Sequence, residues 1–206
     1  MKNISNLPLV LSEISEKVNG VFRRSDLANL FSTSSNDTLS KRIQFLIREG
    51  HLKRAIQGFY YTPDAKIMDL AQRIFPDGYF SLTTGLSLNI MIGTRPTRKI
   101  TIVTARPRPK TFHFDIGSVQ MKRINSEYFF GFSKIGYHRI ATPEKAFIDS
   151  CYYYLKKETF PFDLSSDVRV DHLDIALLKE MLKKYANKRF VQFTLNMVEE
   201  NGRKIR

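Results

Sequence analysis

Residues 33–62, TSSNDTLSKRIQFLIREGHLKRAIQGFYYT, place an amphipathic helical pattern directly before a short basic hairpin, and few folds accommodate that order. Leu39, Ile43, Leu46 and Ile47 recur at the spacing of one buried helical face, with Ser35 or Asn36 positioned to cap the start and Gly50 to stop it. Asp37, Thr38, Lys41, Arg42, Gln44 and Arg48 then point away from the core. Of these, Thr38, Lys41, Arg42 and Gln44 can donate to phosphates or base edges.

Two apolar-rich runs follow, Leu52 to Ala55 and Phe59 to Thr62, around Ile56, Gln57 and Gly58. Gly58 supplies the positive φ of a tight turn, and Lys53 and Arg54 put charge on the hairpin. Upstream, Leu7, Val10, Leu11, Ile14 and Val18 form one stripe of a first helix, and Ser25 is expected to cap a second carrying Leu27, Leu30 and Phe31. Three helices and a wing within residues 1–62 predict a winged helix-turn-helix, with Ser35, Asn36, Thr38, Lys41, Arg42, Gln44, Lys53, Arg54 and Gln57 as the DNA-contacting set.

The chain of 206 residues carries a net charge of +13, which favours a polyanionic partner. Residues 1–62 hold 9 Lys and Arg against 5 Asp and Glu, whereas residues 95–140 hold 10 against 2, so most of the excess lies outside the winged helix. Arg95, Arg98, Lys99, Arg106, Arg108 and Lys110 form a second candidate patch, for phosphate or for a protein partner. The single cysteine, Cys151, lies in an apolar helical pattern and reads as a small buried hydrophobe. No stretch approaches the roughly 20 apolar residues of a membrane span, so a soluble cytoplasmic protein without a membrane partner is expected.

Residues 63–78 read as a linker region with a helix over Ala65 to Phe75, and residues 79–206 as a second domain. Ser81 is expected to cap a helix running to about Asn89. Strand patterns follow at Lys99 to Ala105, Phe112 to Ile116, Val119 to Ile124, Phe129 to Phe132 and Tyr137 to Ala141. Thr142, Pro143 and Glu144 open a further helix, Glu144 facing its positive end, and Asp171 is expected to cap another before a last helix over Phe190 to Val198. The fold class is therefore α+β: a winged helix followed by a small, mostly antiparallel sheet flanked by helices.

The sequence has no Gly-rich phosphate loop, nucleophile elbow or paired metal-ligand spacing; His51, His113, His138 and His172 are scattered. A non-enzymatic protein with neither cofactor nor metal is expected.

The segments KRAIQGFYYTP, YFSLTTGLSL, KITIVTA and RIATPEKAFIDSCYYYL occur in this order, the last spanning Arg139 to Leu155. Together they resemble the AbiEi-like antitoxins of bacterial type IV toxin–antitoxin systems over nearly the whole chain. The resemblance implies an autorepressor whose winged helix binds inverted operator repeats in double-stranded DNA. It also implies a second domain that supports repression and opposes a nucleotidyltransferase-type toxin without a tight complex. Phe59 departs from the pattern, standing where a smaller apolar residue is expected. Within TPEKA, Lys145 is the member whose charge has no evident structural reason, and it joins the candidate patch. The competing expectation is a winged-helix adaptor or regulator, unrelated to a toxin, whose basic second domain binds an acidic protein or RNA.

Overall fold

A computed structural model describes residues 6–94, 98–106 and 108–204. Two compact units emerge: Met1–Pro76 with Phe114–Ile116, and Asp77–His113 with Gly117–Arg206.

In the first unit the order is α1 (Leu7–Ser15), β1 (Val21–Arg23), α2 (Arg24–Leu30), α3 (Asn36–Arg48), β2 (Lys53–Ile56) and β3 (Phe59–Tyr61), followed by α4 (Ile67–Ile74). The strands form an antiparallel sheet in the order β1-β3-β2, which with three helices is the winged-helix arrangement. Leu39, Ile43 and Leu46 of α3 pack with Leu7, Leu11, Phe22, Leu27 and Phe31 in one apolar core. Truncating a fully buried residue such as Leu46 to alanine costs about 2–5 kcal/mol.

The start of α2 is set differently from the sequence expectation. Ser25 lies within the helix, and the Asp26 carboxylate reaches back to accept from the Arg23 backbone N–H at 2.7 Å. The same carboxylate oxygen accepts from Arg73 on α4, also at 2.7 Å. With Ile67, Leu70 and Ala71 buried, α4 belongs to the first unit rather than to a linker.

The second unit runs β4 (Tyr79–Phe80), α5 (Leu82–Leu88), β5 (Lys99–Thr104), β6 (Lys110–Phe114), β7 (Gly117–Arg123), β8 (Phe132–Ile135), β9 (His138–Ala141), α6 (Pro143–Leu155), α7 (Ile175–Leu182) and α8 (Lys188–Lys204). The α+β class is as expected, and the six-stranded sheet, ordered β6-β7-β5-β4-β9-β8, is mixed. Strand pairs β5–β7 and β4–β9 are parallel; β4–β5 and β8–β9 are antiparallel. The strand expected over Phe129 to Phe132 begins only at Phe132, after a 3-10 turn at Ser126–Tyr128.

Thr142 caps α6 by accepting from the Lys145 backbone N–H, as its position predicts. Glu144 stands in the first turn of α6, as expected, and it and other polar residues also make tertiary bonds. The Ser81 hydroxyl precedes α5 but turns to Asp149; Glu144 accepts from the Asp174 N–H at 3.0 Å; and Asp174, not Asp171, caps α7 through the Leu177 N–H. Cys151 is fully buried, and burial pushes its thiol pKa up.

Candidate nucleic-acid interface

Helix α3 of 13 residues, about 20 Å long, is held at its start by local bonds. The Ser35 hydroxyl accepts from the Thr38 N–H, while the Arg24 guanidinium donates to the Asn36 carbonyl at 3.2 Å and to the Ser40 hydroxyl at 3.0 Å. Arg24 also donates its backbone N–H to Gly58 at the wing turn, so one residue touches both the helix and the wing. The sequence reading missed this arginine; its only signal was a cation at the start of a short helix.

Ser35, Asn36, Lys41 and Gln44 are exposed and Thr38 is half-buried, which gives α3 an outward polar face over its first two to three turns. Arg42 is half-buried, and its guanidinium donates to the Phe31 carbonyl at 2.8 Å, tying α3 to the end of α2. Part of its donor capacity is thus structural.

On the wing, Arg54 is exposed over the Tyr60 ring at 5.8 Å, and Gln57 is exposed at the turn beside Gly58, whose φ is +80°. Register shifts between Arg54 and Ile56, which bends the hairpin. Lys53 is engaged with Asp115 at 2.7 Å, and that bond raises its pKa. Arg54 and Gln57, more than Lys53, are the wing's outward polar groups.

In the second unit, Arg98, Lys99, Arg106, Arg108 and Lys110 are all exposed. Arg95 lies outside the described residues. The five do not form one cluster: Arg98 and Lys99 stand at the start of β5, whereas Arg106 follows its end, about 20 Å along six residues of strand.

Lys145 does not belong to that surface. It is completely buried on α6, where its ammonium donates to Asp149 Oδ1 at 2.6 Å and to the Tyr185 hydroxyl at 3.1 Å, with the Phe130 ring 4.8 Å away. Asp149 Oδ2 accepts in turn from Tyr79 at 2.9 Å and Ser81 at 2.8 Å. A closed, hydrogen-bonded ion pair results. Desolvation lowers the Lys145 pKa against the opposing pull of Asp149, and burial raises those of Tyr79 and Tyr185. The charge in TPEKA therefore has a structural reason: it neutralises a carboxylate that cross-links β4, the start of α5 and α6. Gly131 fits closely over this lysine; at φ +73°, an added Cβ would lie 3.0 Å from Lys145 Cβ.

Among the described residues no group of three or more His, Cys, Asp or Glu could hold a metal ion, and no helix is long and apolar enough to cross a membrane. No protein-family model matches the chain, and no curated protein matches it. Among solved structures it is similar to the crystal structure of the RV2827C protein from Mycobacterium tuberculosis, with a TM-score of 0.65 over 95% of this chain and 77% of that one. At 13% identity the similarity establishes a shared fold alone.

Proposed function

We propose that this chain is a cytoplasmic, DNA-binding antitoxin of a type IV toxin–antitoxin system. In this reading the winged helix represses the chain's own operon at inverted repeats, and the second unit opposes a nucleotidyltransferase-type toxin without forming a tight complex. The observation that carries the DNA half is the outward face of α3, where Lys41 and Gln44 stand exposed beyond a capped start and a buried Leu39–Ile43–Leu46 stripe. Such a helix enters the major groove with its N-terminal residues toward base edges, while Arg54 and Gln57 on the wing reach the flanking backbone. The toxin half rests on the sequence resemblance of the second unit, and on exposed cations at Arg98, Lys99, Arg106, Arg108 and Lys110 that suit a polyanion or an acidic surface.

The test is a promoter–reporter fusion of the chain's upstream region, combined with growth measurement while a nucleotidyltransferase encoded beside it is expressed. Wild type should silence the reporter and restore growth. Lys41→Ala with Gln44→Ala should release the reporter and leave growth rescue intact, because both changes lie on an exposed helical face. Reporter output indifferent to the wild-type chain would refute the repressor assignment, and toxicity unaffected by its expression would refute the antitoxin assignment.

A further inference from the structure

We propose that the second unit carries a nucleotide-binding cleft between the 3-10 turn at Ser126–Tyr128, the end of α6 and the start of α8. The cleft measures ≈ 430 Å³, within the size of ligand pockets, which begin at about 300 Å³. Four aromatic rings line it: Tyr128, Tyr152, Tyr185 and Phe190. Tyr128 stacks on Tyr185 with centroids 4.2 Å apart, and Tyr152 meets Tyr128 and Phe190 edge-on at 6.0 and 5.9 Å. Tyr185 and Phe190 are buried, so the floor is rigid, while Tyr128 and Tyr152 remain half-exposed at the mouth.

The charge of the cleft selects the ligand class. Lys156 is the ionic group among the lining residues, and its ammonium lies 4.3 Å from the Tyr152 ring centroid. It already fills the position over that ring that a cationic guest would take, so an aromatic-cage role for a methylated or quaternary amine is disfavoured by like charge. A purely apolar guest would leave Lys156 and the Asn125 amide without use. A flat ring with an anionic substituent satisfies both, the ring packing against Tyr128 or Tyr152 and the anion meeting Lys156. Asn125 at the rim offers its amide N–H donors to a base edge, its Oδ1 accepting from the Ser126 hydroxyl at 3.4 Å. A nucleobase bearing a phosphate has this chemistry, whether as a free nucleotide or as one residue of a single strand. Nothing in this assignment depends on the winged helix or on the antitoxin reading.

The test is an NMR titration of the ¹⁵N-labelled full chain with uridine and adenosine 5′-monophosphates, ribose 5-phosphate, and a single-stranded tetranucleotide. Amide shifts centred on Tyr128, Tyr152 and Lys156 should saturate with either monophosphate at about 10-fold lower concentration than with ribose 5-phosphate. A tetranucleotide that binds more than about 10-fold tighter, with the same centre of shifts, would identify a strand as the ligand; equal affinity would identify the free nucleotide. Tyr152→Leu should weaken nucleotide binding about 10-fold. Lys156→Gln, at an exposed position, should weaken every phosphate-bearing ligand while the chain keeps its melting temperature. Shifts for ribose 5-phosphate equal to those for the nucleotides, or unchanged nucleotide affinity in Lys156→Gln, would overturn the proposal.

Discussion

Asp149→Asn removes one charge from the buried pair while keeping the shape of the side chain. Both Lys145 and Asp149 are completely inaccessible, and the ammonium sits 2.6 Å from the carboxylate. Breaking such a pair by neutralising one partner costs about 3–5 kcal/mol, because the remaining ion stays desolvated. For a unit of this size that corresponds to a midpoint lower by roughly 10–20 °C. The pH dependence carries a sign. Burial holds the Lys145 pKa below the unfolded value of 10.5, and removing Asp149 deletes its largest opposing influence. Between the lowered folded pKa and 10.5 the unfolded chain binds more protons, so the stability of the variant rises with pH. Urea unfolding at several pH values, followed by near-ultraviolet circular dichroism, should show a large deficit near neutrality that narrows as pH approaches 9.5. A loss under about 1 kcal/mol, or a deficit constant over that range, would refute the electrostatic argument.

Other expectations concern the groups packed around this pair and the wing. Gly131→Ala should destabilise the second unit by about 1–3 kcal/mol in thermal melts, since it meets both a positive φ and the Lys145 side chain; a melting point within error of wild type would contradict the close fit. Arg54→Ala should weaken duplex binding across all sequences and reduce the log–log salt slope by about 1, measured by fluorescence anisotropy; an unchanged slope would remove the wing from the phosphate contacts. Tyr79, Tyr153 and Tyr185 have pKa values raised by burial above 10.0, so their stabilising neutral form is fully retained below that value and stability falls as pH rises beyond it. Absorbance at 295 nm should therefore titrate in two stages, the second coinciding with loss of the circular dichroism signal; one smooth transition in the folded protein would contradict their burial.

The elements legible in the sequence are those with a long period. Leu39, Ile43 and Leu46 announce α3, and the Lys99–Thr104 run announces β5, because each pattern repeats several times. Strands β1 and β4 have three and two residues, too few to show alternation, and their strand character comes from pairing with Phe59–Tyr61 and with β5 and β9. Sheet direction was illegible for the same reason: β4 joins β9 across some 60 residues, and no local pattern encodes that pairing. Cap assignments failed where a polar residue had a stronger tertiary partner, as Ser81 has in Asp149. Lys145 was misplaced on the surface although a signal existed. Asp149 lies four residues on, with Ala146, Phe147 and Ile148 between the two, which is the spacing of an internal ion pair.

The claim that α3 reads DNA is tested most directly by comparing two duplexes of equal length, one from the chain's own upstream region and one with that sequence scrambled, at fixed physiological salt. Wild type should prefer the native duplex by at least about 10³-fold. Lys41→Ala with Gln44→Ala should collapse that ratio toward one while the protein keeps its melting temperature. Equal affinity of the wild-type protein for both duplexes would contradict sequence reading by this helix.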